Sequence, residues 1–312
     1  SELIPLRVTT PGKIRPAPVL TFKGMHRLRD AIDHAVAHEC HVISISLGGF
    51  PSKSVKRALK RANKKGVIVL AAAGNRVRTV VWPARYSRAI SVAGCNIERK
   101  PWVGSSRGKK VDVSAPAESV WKAKYNKKGE QVVGQSDGTS FAVATTAGVA
   151  ALWLSYHGRD KLIARYGEEQ LPIVFKKLLK SSCAHSPYLS TDKFGEGIVD
   201  AKALLEMELP SFNNNSPADT AEDEIDENSL AEEVASIIGE NEERVRAAIA
   251  SHEDELYFHM ANSDLKDSLL PQSSTQRRNI SNLSSQLGGE RQHFSESLLN
   301  ILSAETEIEE KE

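Results

Sequence analysis

The chain has 312 residues, 40% of them hydrophobic and 26% charged, with a formal net charge of +1. These values fit one sizeable folded domain plus an additional segment, and no apolar run is long enough for a membrane span. The near-neutral total hides an asymmetry: residues 1–206 carry about 34 Lys and Arg against about 16 acids, and residues 207–312 about 7 against about 24.

In chain order, Leu3 to Val8 is expected to form a strand, Met25 to Glu39 an amphipathic helix, and Val42 to Leu47 a strand. Ser54 to Lys65 reads as a helix stopped by Gly66, followed by strands at Val67 to Ala73 and Ala89 to Ala93. Strand and helix in alternation imply right-handed crossovers, hence an α/β fold: a doubly wound, mostly parallel sheet with helices on both faces. Ligands of such sheets gather at the carboxyl ends of the strands. Val111 to Val113, Ser119 to Ala123 and Glu130 to Gly134 are short strands or turns leading into an apolar helix near residue 140. Glu168 to Ser181 gives a further helix, and Gly195 to Ala201 turns into a last short one.

The composition changes after Glu206. Residues 207–228 read as an acidic linker, with too few large apolar groups to fold. Residues 229–312 form an acidic tail, helical or disordered, with helical spacing at Leu230 to Ile238, Glu242 to Ile249, Leu256 to Leu270 and Phe294 to Leu302. The three domains expected are therefore 1–206, 207–228 and 229–312.

Basic side chains in the first part lie on outer faces of expected helices (Lys53, Lys56, Arg57, Lys60, Arg61, Lys64, Lys65) or in loops (Arg107, Lys109, Lys110). No stacking aromatics interleave them, so they read as solvated faces and not as a nucleic-acid surface. Cys40, Cys95 and Cys183 form no close-spaced pair, so neither a zinc site nor a disulfide framework follows and the compartment stays open. His34 and His38, at helical spacing, read as surface residues, with a metal pair as the minor alternative. Neither Gly-x-Gly-x-x-Gly nor Gly-Lys-Ser/Thr occurs, which argues against a nucleotide site.

The strongest local signal is Gly138-Thr139-Ser140-Phe141-Ala142, which opens directly into the small-residue apolar stretch to Leu152. Thr and Ser are ordinary helix N-caps, and alone they would mean no more than that. A serine in the first turn of a buried helix also stands at the positive end of the dipole, where a rigid element can aim its hydroxyl.

Gly-Thr-Ser-x-Ala followed by Ala147-Gly148-x-Ala-Ala-Leu resembles the nucleophile segment of the subtilisin-like serine proteases. The resemblance implies that Ser140 is the nucleophile. One departure is Ala144, where most members have proline; alanine should give a more regular first helical turn. Val67 to Asn75, a buried strand ending in small residues and an amide, resembles the segment whose asparagine donates to the oxyanion; the resemblance implies that Asn75 is that donor, with an ordinary Gly-Asn turn as the alternative. Ser44 to Gly49 resembles the strand beside the substrate, where the backbone of Ser46-Leu47-Gly48 would pair with an extended peptide, and Ala72-Ala73-Gly74 the opposite wall of the pocket for the residue before the cleaved bond. The small side chains of that wall imply room for a large apolar group. Trp82 to Tyr86 resembles a bordering segment, with a packed turn as the plainer account of Trp82. Asp112 falls in Val-Asp-Val-Ser-Ala-Pro, which resembles a structural strand and not the orienting acid.

The family's acid lies in an Asp-Ser/Thr-Gly turn and its base in His-Gly-Thr, and neither motif occurs in this chain. None of His26, His34, His38 and His41 has the required neighbours. Because Glu2 to Val8 resembles the strand after the catalytic-histidine helix, the resemblance covers residues 1 to about 206, with the acid and base expected from an upstream segment or a partner chain. The non-Met start favours the upstream segment.

The expectation is therefore a serine endopeptidase acting on polypeptides, represented by its nucleophile-bearing part and nearly inactive alone. The alternative is a non-catalytic peptide- or protein-binding module whose acidic tail recruits a basic partner. No cofactor is evident; calcium is implied by the resemblance only, since no carboxylate cluster in residues 1–206 points to a site. Neither a nucleic-acid nor a membrane partner is expected.

Overall fold

The computed structural model describes residues 2–9, 19–20, 22–49, 52–75, 79–126, 128–211, 241 and 243–247. The chain divides into two units, residues 1–224 and 225–312. Of the expected tail helices, only Glu242 to Ile249 reaches the described residues, where 243–247 is helical and Asn241 Oδ1 accepts the Glu243 amide at 2.8 Å. The other three lie outside them, as does most of the expected linker.

The first unit runs β1 (Val19–Leu20), α1 (Phe22–Ala37), β2 (Val42–Ile45), β3 (Gly48–Gly49), α2 (Lys53–Lys64), β4 (Ile68–Ala72), β5 (Ile90–Cys95) and β6 (Val113–Pro116). It continues with the hairpin strands β7 (Val120–Tyr125) and β8 (Gln131–Ser136), then α3 (Thr139–His157), α4 (Arg159–Tyr166), α5 (Leu171–Ser181), α6 (Thr191–Phe194) and α7 (Ala201–Glu206). Strands β2-β4-β5-β6 form a four-stranded parallel sheet in that order, registered by Ile45↔Ala71, Leu70↔Ile90 and Val92↔Val113. The expected α/β architecture is therefore present.

All five residues of β4 are buried, as a strand covered on both faces requires. Ile68, Leu70 and Ala72 join a core with Val92, Val113, Ala142, Val143, Trp153, Leu162 and Phe175, which is the side of α3 to α5. Val69 and Ala71 point the other way, toward the side on which α2 buries Val55, Ala58, Leu59 and Ala62. Ser52 caps α2 through the Val55 amide, and the helix keeps its lysines and arginines outward. Arg61 pairs there with Asp33 of α1 at 2.8 Å.

Four differences from expectation have local causes. Leu3 to Val8 forms no strand among the described residues; only Val8 is buried, and Leu3 is 90% exposed. A strand pattern becomes a strand only when a partner satisfies its backbone. Arg159–Tyr166, where no element was expected, forms α4 between Gly158 and Gly167, and the helix expected over Glu168 to Ser181 begins only at Leu171. Thr191 to Phe194 forms a one-turn helix too short for periodicity to reveal. Packing also runs beyond residue 206: Arg165 Nη2 and Tyr166 Oη donate to the Pro210 carbonyl at 2.9 and 2.7 Å.

Candidate active site at the carboxyl ends of the strands

Parallel strands end together, so the residues just after β2 and β4 emerge on one edge of the sheet. Ser46 is exposed and Leu47 and Gly48 are half-buried beyond β2. Ala72 and Ala73 are buried at the end of β4, Gly74 is half-buried, and Asn75 is exposed. The amino end of α3 reaches the same edge, held there by Gly138 N–H donating to the Ala117 carbonyl at 2.7 Å.

Thr139 joins the two elements. Its amide and its hydroxyl both donate to Asn75 Oδ1 at 2.8 Å, and its Oγ1 accepts the Gly74 amide at 3.4 Å. With Oδ1 occupied twice, Nδ2 is the half of the Asn75 amide left to face outward. It faces Gly138: a Cβ built there would stand 3.3 Å from Asn75 Nδ2 and 3.8 Å from the Ser140 amide nitrogen. Two nitrogens, Asn75 Nδ2 and Ser140 N, thus border a space kept open by the absent side chain. Gly138 takes φ +152°, and as the N-cap it bonds no side chain to the helix. The capping account of Thr139 and Ser140 therefore does not hold: they are the first two helical residues, and Ser140 is half-buried in the first turn. With Ala144, the helix runs unbroken for 19 residues.

The loop bearing Asn75 is clamped from below by two residues that sequence reading missed. Ser106 N–H donates to the Gly74 carbonyl at 2.9 Å, and Asn75 bridges Ser105. Ser105 Oγ in turn accepts the Gly94 amide at 2.8 Å and donates to the Ser106 carbonyl at 2.9 Å. The available signal was the small, hydrogen-bonding pair after Gly104. Gly74 has φ +121°, and a Cβ there would stand 2.6 Å from Ser106 Oγ, so the clamp itself demands glycine.

The other singled-out residues lie elsewhere. His26, His34 and His38 are exposed on or just beyond α1, and the His34 and His38 rings stack at 3.9 Å. His41 precedes β2 at its amino end, roughly 16 Å of strand away from Ser46. Asp112 is buried and structural: it accepts the Ser91 amide at 2.8 Å and pairs with Lys176 at 3.0 Å and Lys180 at 3.8 Å, tying α5 to the sheet. Trp82 is packed, with the Arg85 guanidinium over its ring. Burial pushes the Cys95 thiol up to about 11 and the Cys183 thiol up to about 12, the latter helped by Glu196 and Asp200, so neither is poised as a thiolate. Among the described residues no group of three or more His, Cys, Asp or Glu could hold a metal ion, and no helix is long and apolar enough to cross a membrane.

Comparison with known proteins bears on the family and the fold. The chain is 36% identical over 135 residues to the major intracellular serine protease of Bacillus subtilis (strain 168), and 37% identical over 133 residues to thermitase of Thermoactinomyces vulgaris. These matches cover 41% and 42% of this chain, and 41% and 46% of those proteins, so the chain spans less than half the length of these relatives. Among solved structures, a Pseudoalteromonas arctica PAMC 21717 protease superposes with a TM-score of 0.51 at 26% identity, over 58% of each chain. Fervidolysin from Fervidobacterium pennivorans gives 0.50 at 25%, over 59% of this chain and 29% of that one. The model of the subtilase family matches residues 22–200, and the chain belongs to that family of serine proteases.

Proposed function

We propose that this chain is the nucleophile-bearing part of a serine endopeptidase that cleaves polypeptides, with its histidine base and orienting aspartate supplied by a segment outside these 312 residues. The observation that carries the reading is that Asn75 Nδ2 and the Ser140 amide nitrogen border the same space beside Gly138. Two N–H groups on rigid elements, at the positive end of a helix, suit the oxyanion of acyl transfer.

In that reaction Ser140 Oγ attacks the scissile carbonyl carbon and passes its proton to the base. Asn75 and the Ser140 amide hold the resulting oxyanion; the C–N bond then breaks and the amine leaves with the base's proton. Water releases the acyl group by the same route in reverse. The segment would dock on the edge of β2, which no described strand pairs, and on the face of α3 that exposes Ala144, Thr145, Gly148, Leu152 and Tyr156.

The test is hydrolysis of an internally quenched peptide by the chain alone and by the chain extended upstream to include Asp-Ser/Thr-Gly and His-Gly-Thr motifs. The extended protein should turn over the peptide in a Ser140-dependent way, and the chain alone should stay near background. Hydrolysis that survives Ser140→Ala, or none from an extended, folded protein, would overturn the reading.

A second reading rests on charge. Residues 207–312 are strongly acidic, and the two catalytic motifs do not occur in the chain, as expected if it bound peptides without cutting them and recruited a basic partner through its tail. Such recruitment should weaken with salt and vanish when residues 207–312 are removed.

A further inference from the structure

Helix α2 carries a charge pattern that its own stability does not ask for. Residues 53–65 hold seven Lys and Arg and no acid. Lys53 opens the helix, at the positive end of its dipole, where a cation is disfavoured. Lys53 and Arg57, Lys56 and Lys60, and Lys60 and Lys64 are like charges four positions apart, which repel. Arg61 is drawn aside to Asp33 of α1. Lys53, Arg57, Lys60 and Lys64 recur at i, i+4, i+7 and i+11 and are all exposed, so they form one stripe about 16 Å long on the face opposite buried Val55, Ala58, Leu59 and Ala62.

The start of the stripe is tied to the strand that resembles a peptide-pairing strand. Ser52, the cap of α2, donates its amide to Tyr86 Oη at 2.7 Å, and its carbonyl accepts the same hydroxyl at 3.1 Å. The Trp82 carbonyl, on the same segment, accepts the Gly49 amide at 2.8 Å. Trp82 to Tyr86 thus pins both the end of that strand and the first turn of α2, which begins four residues after Gly49.

We propose that this face of α2 is an exosite for an acidic stretch of the polypeptide substrate, so that favoured substrates carry a run of Asp and Glu beside the segment held at Ser46–Gly48. The proposal rests on reading that strand as the substrate site. Carboxylates along such a run pair with the stripe, relieve the repulsion within α2 and raise the local concentration of the bond to be cut. A nucleic-acid backbone has the same sign of charge, but residues 53–65 offer no aromatic side chain on which bases could stack.

The experiment has two readouts. The first is fluorescence anisotropy of capped octaglutamate and capped octaglutamine on the Ser140→Ala form of the 312-residue chain, which needs no catalysis. At low salt octaglutamate should bind at least about 10-fold more tightly, and the preference should vanish in about 0.5 M NaCl. It should vanish also when Lys53→Gln, Arg57→Gln, Lys60→Gln and Lys64→Gln are made together, all at exposed positions. The second is turnover by the upstream-extended protease: a quenched peptide with an added run of glutamates should show a KM about 10-fold below that of its glutamine twin at unchanged kcat, and the quadruple substitution should erase the difference. No preference for octaglutamate, a preference that survives the quadruple substitution, an unchanged KM, or tighter binding of a single-stranded oligonucleotide of equal charge overturns the proposal. Failure of the catalytic reading shows separately, as an extended protein without Ser140-dependent hydrolysis.

Discussion

The two edges of the parallel sheet are finished to different degrees. At the β6 edge, Ser114 N–H donates to the Gly197 carbonyl at 2.8 Å, its carbonyl accepts the Val199 amide at 2.9 Å, and its hydroxyl donates to the Phe194 carbonyl at 2.8 Å. Nearby, Lys176 and Lys180 close on Asp112. At the β2 edge no described strand pairs, Ser44 is exposed, and the adjoining helix α3 leaves Leu152 48% and Tyr156 65% exposed. An open edge beside an apolar helix face is a liability that proteins normally cover. The closed side therefore reads as a structural lock, and the open side as the side from which the rest of a catalytic apparatus would be added.

If that division is right, substitutions on the two sides should fail in different ways. The largest effect belongs to the site: in the extended protease, Asn75→Ala should lower kcat by about 10²–10³-fold with little change in KM, because the lost donor acts on the oxyanion and not on the bound peptide. The figure derives from a member of this same family. A mainly raised KM would instead make Asn75 a binding residue.

Gly74→Ala comes next, and its effect is on folding. It forces a side chain into positive φ and onto Ser106, so calorimetry should show a loss of about 2–4 kcal/mol. A neutral result would mean that the clamp under Asn75 is looser than its hydrogen bonds indicate.

On the closed side, Asp112→Asn keeps the acceptor for Ser91 but removes the charge facing two lysines, and should cost about 1–3 kcal/mol in urea unfolding. The same change should leave kcat of the extended protease intact. Loss of turnover without loss of stability would move Asp112 into the chemistry and undo the comparison.

The smallest effect is pH-dependent. Burial holds His157 below its ordinary 6.5, and its buried Nε2 has no hydrogen-bond partner. The fold favours the neutral ring, so its contribution is complete above about pH 6.5 and is lost as the pH falls through the lowered folded-state value. Melting temperature should therefore fall less steeply toward acid in His157→Gln than in the wild type.

Much of this was legible in the sequence because it is local. The apolar runs at Val67 to Ala73 and Ala89 to Ala93 gave β4 and β5 within one or two residues, and the Gly-Thr-Ser step before small apolar residues marked the start of α3. What stayed hidden depends on contacts across the chain. The role of Thr139 requires Asn75, 64 positions away, to fold beside it. Ser105 and Ser106 matter only because the β4 loop lies against them. The Leu3 to Val8 pattern failed for the converse reason, since its alternation says nothing of whether a partner strand is present.

The measurement that bears most directly on the central claim is labelling with an active-site fluorophosphonate, mapped by peptide mass spectrometry, on the 312-residue chain and on the chain extended upstream. The account predicts strong labelling at Ser140 in the extended protein and little in the chain alone, because a serine hydroxyl without its base is a poor nucleophile at neutral pH. Strong labelling of Ser140 in the chain alone, or none in the extended protein, would contradict it.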